Sequence, residues 1–315
     1  MARTTARKTT ARKDVAQDVT DLIISQLEAG TIPWQRPWTA TGGSFPRSMA
    51  TGKTYRGVNL LLLGIYADLA GYSSPWWGTY KQIAAQGGQV RKGEKAVTVV
   101  LYSTFDKDEV NGAGETVTKT VPFLRSFAVF NACQADSLPA KFTEAPALPG
   151  TDLERLDHAE TIAAAYIAEG PSFSHGGDRA YYTPATDSVR IPALESFTSA
   201  EGYYSTLFHE LTHSTGHTSR LDREGVVGEG HAFGSTTYAA EELVAEMGAA
   251  MLCAIVGIEQ TETIPASAAY IANWLTALRN DKKLILTASK LAQRAVDLIA
   301  PPEALAAEST EELAA

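Results

Sequence analysis

The chain has little cysteine: two residues in 315, Cys133 and Cys253, far apart and in no metal-type spacing. That excludes a disulfide framework and a cysteine-built zinc site, and it argues against an oxidising compartment. Long apolar runs are missing too. The longest near the N-terminus, Leu60 to Leu63, falls far short of the roughly 18 residues of a membrane helix. The first residues are basic and Thr-rich with no apolar stretch behind them, so no secretory signal is expected. These absences together lead us to expect a cytoplasmic protein with no membrane partner. Histidine is scarce, six in all, yet three of the six fall at 209, 213 and 217. The bulk is ordinary globular material, 44% hydrophobic and 9% aromatic, enough for two domains with cores of their own.

The net charge of −9 hides a split. Residues 1–141 hold 17 Lys+Arg against 11 Asp+Glu, a net of +6, and the remainder holds 10 against 25, a net of −15. A basic and an acidic half on one chain suggest two tasks, the basic half being suited to a polyanion. The organisation follows this division. A basic arm with a Thr-Thr-Ala-Arg-Lys repeat occupies 1–13, a first domain 14–135, a Pro-rich linker 136–152, a second domain 153–300 and an acidic tail 301–315. Helices are expected over 14–28 and 59–69, with a third opening at Trp76-Trp77. Strands are expected over 96–105 and 117–130 around a loop at 106–116. After the linker come a helix over 153–169 and two short strands at 180–184 and 189–192, with Pro192 marking the latter as an edge. The fold class is α+β.

His209-Glu210-Leu211-Thr212-His213 reads H-E-x-x-H. On a helix, positions i and i+4 share a face one turn apart, so both imidazoles can reach one zinc ion, with Glu210 beside them as general base. Leu207, Phe208 and Leu211 give that helix an apolar stripe, and Gly216 stops it. A third ligand is needed. The helix pattern at 238–252 offers Glu242 and Glu246, one turn apart on its inner face, with Glu241 rotated away and expected to be solvated. Glu242 is the expected third ligand and Glu246 the acceptor that orients a ligand histidine, the swapped assignment remaining open. His217 is either an alternative ligand, a substrate-side group or a surface residue; His231 could also compete. Tyr238 and His217 are candidates for stabilising the oxyanion. Another divalent metal could take the place of zinc.

In the basic half, cations and aromatics interleave. Arg36, Arg47, Tyr55, Arg56, Trp77, Lys81, Arg91, Lys92 and Lys95 are the candidate contacts to single-stranded DNA, which stacks its bases on aromatic faces and runs its phosphates along cations. Burial of tryptophan and tyrosine in a core is the competing explanation.

The runs Gly52-Lys53-Thr54-Tyr55-Arg56-Gly57-Val58-Asn59, Gly71-Tyr72-Ser73-Ser74-Pro75, Thr79-Tyr80-Lys81-Gln82 and Gly87-Gly88-Gln89-Val90-Arg91-Lys92-Gly93-Glu94-Lys95 resemble the N-terminal domain of ArdC-type antirestriction proteins. The H-E-x-x-H segment followed by Ser219-Arg220-Leu221-Asp222-Arg223, and the stretch from Tyr238 to Glu246, resemble the same family's metallopeptidase domain. Ser214 departs from the aromatic residue often found there, a change beside the helix and not in the ligands. The resemblance covers about residues 14 to 300. It implies a single-stranded-DNA-binding domain joined to a zincin-like zinc metallopeptidase domain, carried by mobile elements to shield incoming DNA from host restriction, with a host restriction or defence protein as a possible substrate. A DNA-binding shield with a purely structural metal is the alternative.

Overall fold

The computed structural model describes residues 14–34, 45–110, 112, 116–144, 151–227, 235–258 and 268–302. The basic arm, Arg36, His231 and the tail beyond 302 lie outside the described residues.

The first helix, α1 (Val15–Glu28), starts on Asp14, whose side chain accepts the Gln17 N–H at 3.3 Å. A short strand β1 (Arg47–Ser48) precedes α2 (Val58–Ala70), an almost wholly apolar helix closed by Gly71 in the left-handed conformation. Trp76-Trp77 does not open a helix: Trp76–Gly78 is strand β2, and α3 (Tyr80–Ala85) starts after it on a Thr79–Gln82 capping box. Strand β3 (Gln89–Val90) follows, then a long hairpin of β4 (Val97–Val110) and β5 (Thr116–Asn131). The hairpin extends through residues 106–110, expected as loop. Within the ribbon Thr118 Oγ1 donates to Asp108 at 2.8 Å and Lys107 Nζ to Glu109 at 3.0 Å. β1, β2, β5 and β4 form one sheet in that order, and β3 pairs with β6 (Ala135–Asp136). The expected linker is packed at its start, where α4 (Ala140–Thr143) buries Phe142 beside Met49 and Ile83.

The second half opens with α5 (Asp152–Glu169), capped by Thr151 and Glu154. Three strands follow: β7 (Ser172–His175), β8 (Tyr181–Thr183) and β9 (Ser188–Ile191), in the order β7-β9-β8. This corrects the expected edge: the strand ending before Pro192 is central, and the edges are β7 and β8. β7 is mostly exposed and polar and gave no alternating signal. Then come α6 (Ala200–Ser214), α7 (Glu224–Val227), α8 (Thr236–Val256), α9 (Ala268–Asn280) and α10 (Leu284–Ile299). None of the described helices is long and apolar enough to cross a membrane.

Helix α8 is buried on nearly all sides, with α6 and α10 packed against it. Gly248 permits the α6 approach, since a Cβ there would sit 2.6 Å from the Thr212 side chain. The apolar core is shared between the two halves. Val19, Ile23 and Leu27 of α1, Trp34, and Leu61 and Leu62 of α2 join one cluster with Leu243, Val244 and Met247 of α8 and with Trp274 and Leu278 of α9. Trp34 meets Trp274 edge-on at 5.2 Å. Lys282 pairs with Asp14 and Arg279 with Glu28, both at 2.6 Å, and Arg56 pairs with Asp297.

Candidate metal centre

Helix α6 begins at Ser199, whose hydroxyl accepts the Gly202 N–H at 3.1 Å. Over its last turns one face carries His209 and His213, and their Nε2 atoms converge to 3.1 Å. From α8, Glu242 brings its carboxylate oxygens to 3.6 Å from His209 Nε2 and 3.7 Å from His213 Nε2. One ligand atom from each of the three lies within 4.8 Å of the others, the only such group of three or more found among the described residues. Two imidazoles and one carboxylate, brought together by two packed helices, are a donor set that would fit a divalent metal ion.

Each imidazole has a carboxylate behind it. Glu246, fully buried, stands 3.3 Å from His209 Nδ1. Glu241 stands 3.2 Å from His213 Nδ1. Glu241 therefore corrects its expected solvation: it is 6% exposed, and Arg223 forks onto both its oxygens at 2.6 and 3.0 Å. In the sequence Arg223 stands out only as the end of the Ser219–Arg223 run. Nothing local marked either residue, because 18 positions separate them and only the α6–α8 packing brings both to His213.

The electrostatics follow from burial and pairing. Burial opposes charge on His209, but the Glu242 and Glu246 carboxylates outweigh it and hold its pKa well above the ordinary value. Burial likewise raises Glu242, but the adjoining imidazoles outweigh that and lower its pKa to about 2. Glu210 goes the other way. Burial pushes its carboxyl up, against the pull of the two histidines, while the Tyr182 backbone N–H of the edge strand β8 favours its charged form.

A cleft of about 1570 Å³ opens over these groups, lined by β8, Phe197, α6, Gly225 and Val226 of α7, and Tyr238 and Tyr270. The Tyr238 hydroxyl is shared with Tyr270 at 3.2 Å and with Glu242, and burial followed by the Glu242 charge raises its pKa. His217 is turned to Ser219 at 2.8 Å, with Asp187 at 3.8 Å, and is not among the three convergent ligands.

The candidate DNA contacts among the described residues differ in burial and pairing. Trp77 is fully buried against Leu63, Val97 and Val129, which leaves no ring face for a base and corrects its assignment to the surface. Tyr55 is half-buried in the same cluster. Arg56 is engaged by Asp297, and Arg91 by Glu94 at 2.8 Å and Asp136 at 3.4 Å. Arg47, Lys81, Lys92 and Lys95 are exposed, as is Tyr80, which lies beside Lys81 at the start of α3.

Residues 13–130 match the family model of the N-terminal domain of anti-restriction factor ArdC, and residues 157–291 match that of a zincin-like metallopeptidase. A Sinorhizobium fredii (strain NBRC 101917 / NGR234) protein, y4eC, is 39% identical over 93% of this chain and 94% of its own length. DNA primase TraC of Escherichia coli is 38% identical over 91% of this chain, which spans only 27% of the primase. The antirestriction ArdC protein from the R388 plasmid is 40% identical. Its metal-free crystal structure gives a TM-score of 0.74, covering 94% of this chain and 99% of that one; its Mn(II)-bound structure gives 0.72, covering 93% and 99%. Likeness on that scale, running through both halves in the same order, makes this chain a member of the ArdC antirestriction family, with an ArdC N-terminal domain followed by a zincin-like domain.

Proposed function

We propose that the chain is an antirestriction protein of a mobile element that binds single-stranded DNA and hydrolyses a host restriction or defence protein at a zinc centre, protecting incoming DNA. The observation that carries the peptidase reading is the convergence of His209, His213 and Glu242 in the cleft with Glu210 beside them. These three would hold the ion. Their two nitrogens and one carboxylate oxygen favour zinc, and the Mn(II)-bound R388 relative supports a divalent metal in general. When bound, the ion supplies a Lewis acid that polarises the scissile carbonyl and lowers the pKa of water. Glu210 takes the proton of the attacking water and passes it to the leaving amine, a double duty suited to a carboxylate whose pKa is raised. The Tyr182 N–H aims Glu210. Tyr238 is the nearer candidate for the oxyanion, since His217 is engaged by Ser219. DNA phosphates run along Arg47, Lys81, Lys92 and Lys95 at the exposed surface, with Tyr80 in place of Trp77 as a stacking face.

A second reading, a non-proteolytic DNA shield with a structural metal, is favoured by one observation: α8, which carries Glu242, shares one apolar cluster with α1 and α2 of the N-terminal half. Survival of DNA entering a restricting host separates the two, comparing wild type with Glu210→Gln at matched expression and metal content. Lost protection supports the peptidase, and unchanged protection supports the shield.

A further inference from the structure

The carboxylates behind the two histidines are held differently. Glu246 is fully buried within the α6–α8 packing. Glu241 adjoins Glu242 on the same helix and has its own route to the ligands: its Oε1 is 3.2 Å from His213 Nδ1. Arg223, 4% exposed, fastens it with a bidentate fork. The same guanidinium donates to the Thr212 carbonyl at 2.8 Å, the His213 carbonyl at 3.3 Å and Thr215 Oγ1 at 2.5 Å. It therefore grips both the helical turn that bears His213 and the carboxylate that His213 Nδ1 faces. The loop that delivers it is closely fitted. The Arg223 N–H donates to the Gly216 carbonyl at 2.9 Å, and a Cβ at Gly216 would sit 2.5 Å from Val226 and 3.0 Å from the Arg223 guanidinium carbon.

Resting on the metal-centre reading above, we propose that Arg223 and Glu241 are positioning residues. Arg223 clamps Glu241 as the acceptor for His213 Nδ1–H, and the same clamp keeps Glu241 from entering the ligand set. Two consequences follow. The acceptor fixes the His213 tautomer so that Nε2 is bare toward the metal. Without its fork, Glu241 is a buried, uncompensated carboxylate one position from a ligand, and the nearest relief is the ion itself.

The test uses the full-length chain, loaded with Zn(II) or Co(II). Affinity is read by competition with a chromophoric chelator, coordination by the visible band of the Co(II) form, and folding by thermal melts of the metal-free chain. Glu241→Ala is expected to weaken Zn(II) about 10- to 100-fold. Glu241→Gln keeps an acceptor for His213 and should fall between it and wild type. Arg223→Met should shift and weaken the Co(II) band as the freed Glu241 adds an oxygen ligand, and Arg223→Lys should recover part of the wild-type band. Tyr166→Phe, which breaks a buried hydrogen bond to Ser214 on the same helix end, is the control for stability alone. The inference is overturned if Glu241→Ala binds Zn(II) as wild type does, or if the Arg223 variants lower the melting temperature with an unaltered Co(II) band. Should Arg223→Met not fold, the Glu241 pair decides by the same affinity criterion. A wild-type chain that takes up neither metal overturns the centre itself, and the inference with it.

Discussion

The two halves of this chain use charge in opposite ways. In the acidic half the decisive carboxylates are buried and paired: Glu241, Glu242 and Glu246 surround two histidines and an arginine. In the basic half, Arg47, Lys81, Lys92 and Lys95 stand in solvent, while Arg91 is shared with two acids and Arg56 reaches across to α10. A buried charge needs specific partners, so it is fixed in place and defines a site. An exposed cation needs none, so its position says little about what it touches. Yet the halves are not mechanically separate, because one apolar cluster runs through both.

The strongest challenge to that contrast is Trp34→Ala. Emptying the space against Trp274 should cost about 3–5 kcal/mol. Because the cluster is shared, thermal unfolding should move to lower temperature as one transition, followed by circular dichroism; two separated transitions would show that the halves fold independently. Gly248→Ala comes next. The added methyl meets Thr212 at 2.6 Å, so overpacking of about 1–3 kcal/mol should exceed the gain of up to about 1 kcal/mol in helix propensity. Denaturant melts should show lower stability, and chelator competition weaker metal binding; unchanged values on both would mean α6 and α8 can part freely. On the basic side, replacing Lys81, Lys92 and Lys95 with alanine should weaken single-strand binding and reduce the slope of log affinity against log salt by about 2. An unaltered slope in fluorescence anisotropy titrations would move the DNA surface elsewhere.

The smallest effect concerns pH. The hydrogen bonds from Arg220 hold the Asp187 carboxyl below its ordinary range. Its folded pKa lies below the unfolded value of about 3.9, so its stabilising contribution is complete above that value and fades as pH falls through the folded pKa. Asp187→Asn should therefore lower stability at neutral pH, with the gap to wild type closing below about pH 4. A gap that widens in acid would contradict the pairing.

What the sequence made legible was local. H-E-x-x-H and the Glu242–Glu246 pair each lie on one helix, where spacing alone sets the face. The helix expected over 14–28 was similarly short-range, its start set by the local cap at Asp14. Illegible features depended on packing between distant segments. Glu241 looked solvated because its partners, His213 and Arg223, come from elsewhere. Trp77 looked like a stacking surface because adjacent cations do not reveal which way a strand residue points. β9 was misread as an edge because the strand on its other side, polar and exposed β7, carries no alternation.

The joint core also bears on heredity. A crossover between residues 136 and 152 would look harmless on the sequence, falling between two recognisable domains. It would leave Val19, Ile23 and Leu27 facing a foreign α9, and Trp274 without Trp34. Exchange of either half between diverged copies should be selected against unless the facing helices travel too, so the portable unit is the pair.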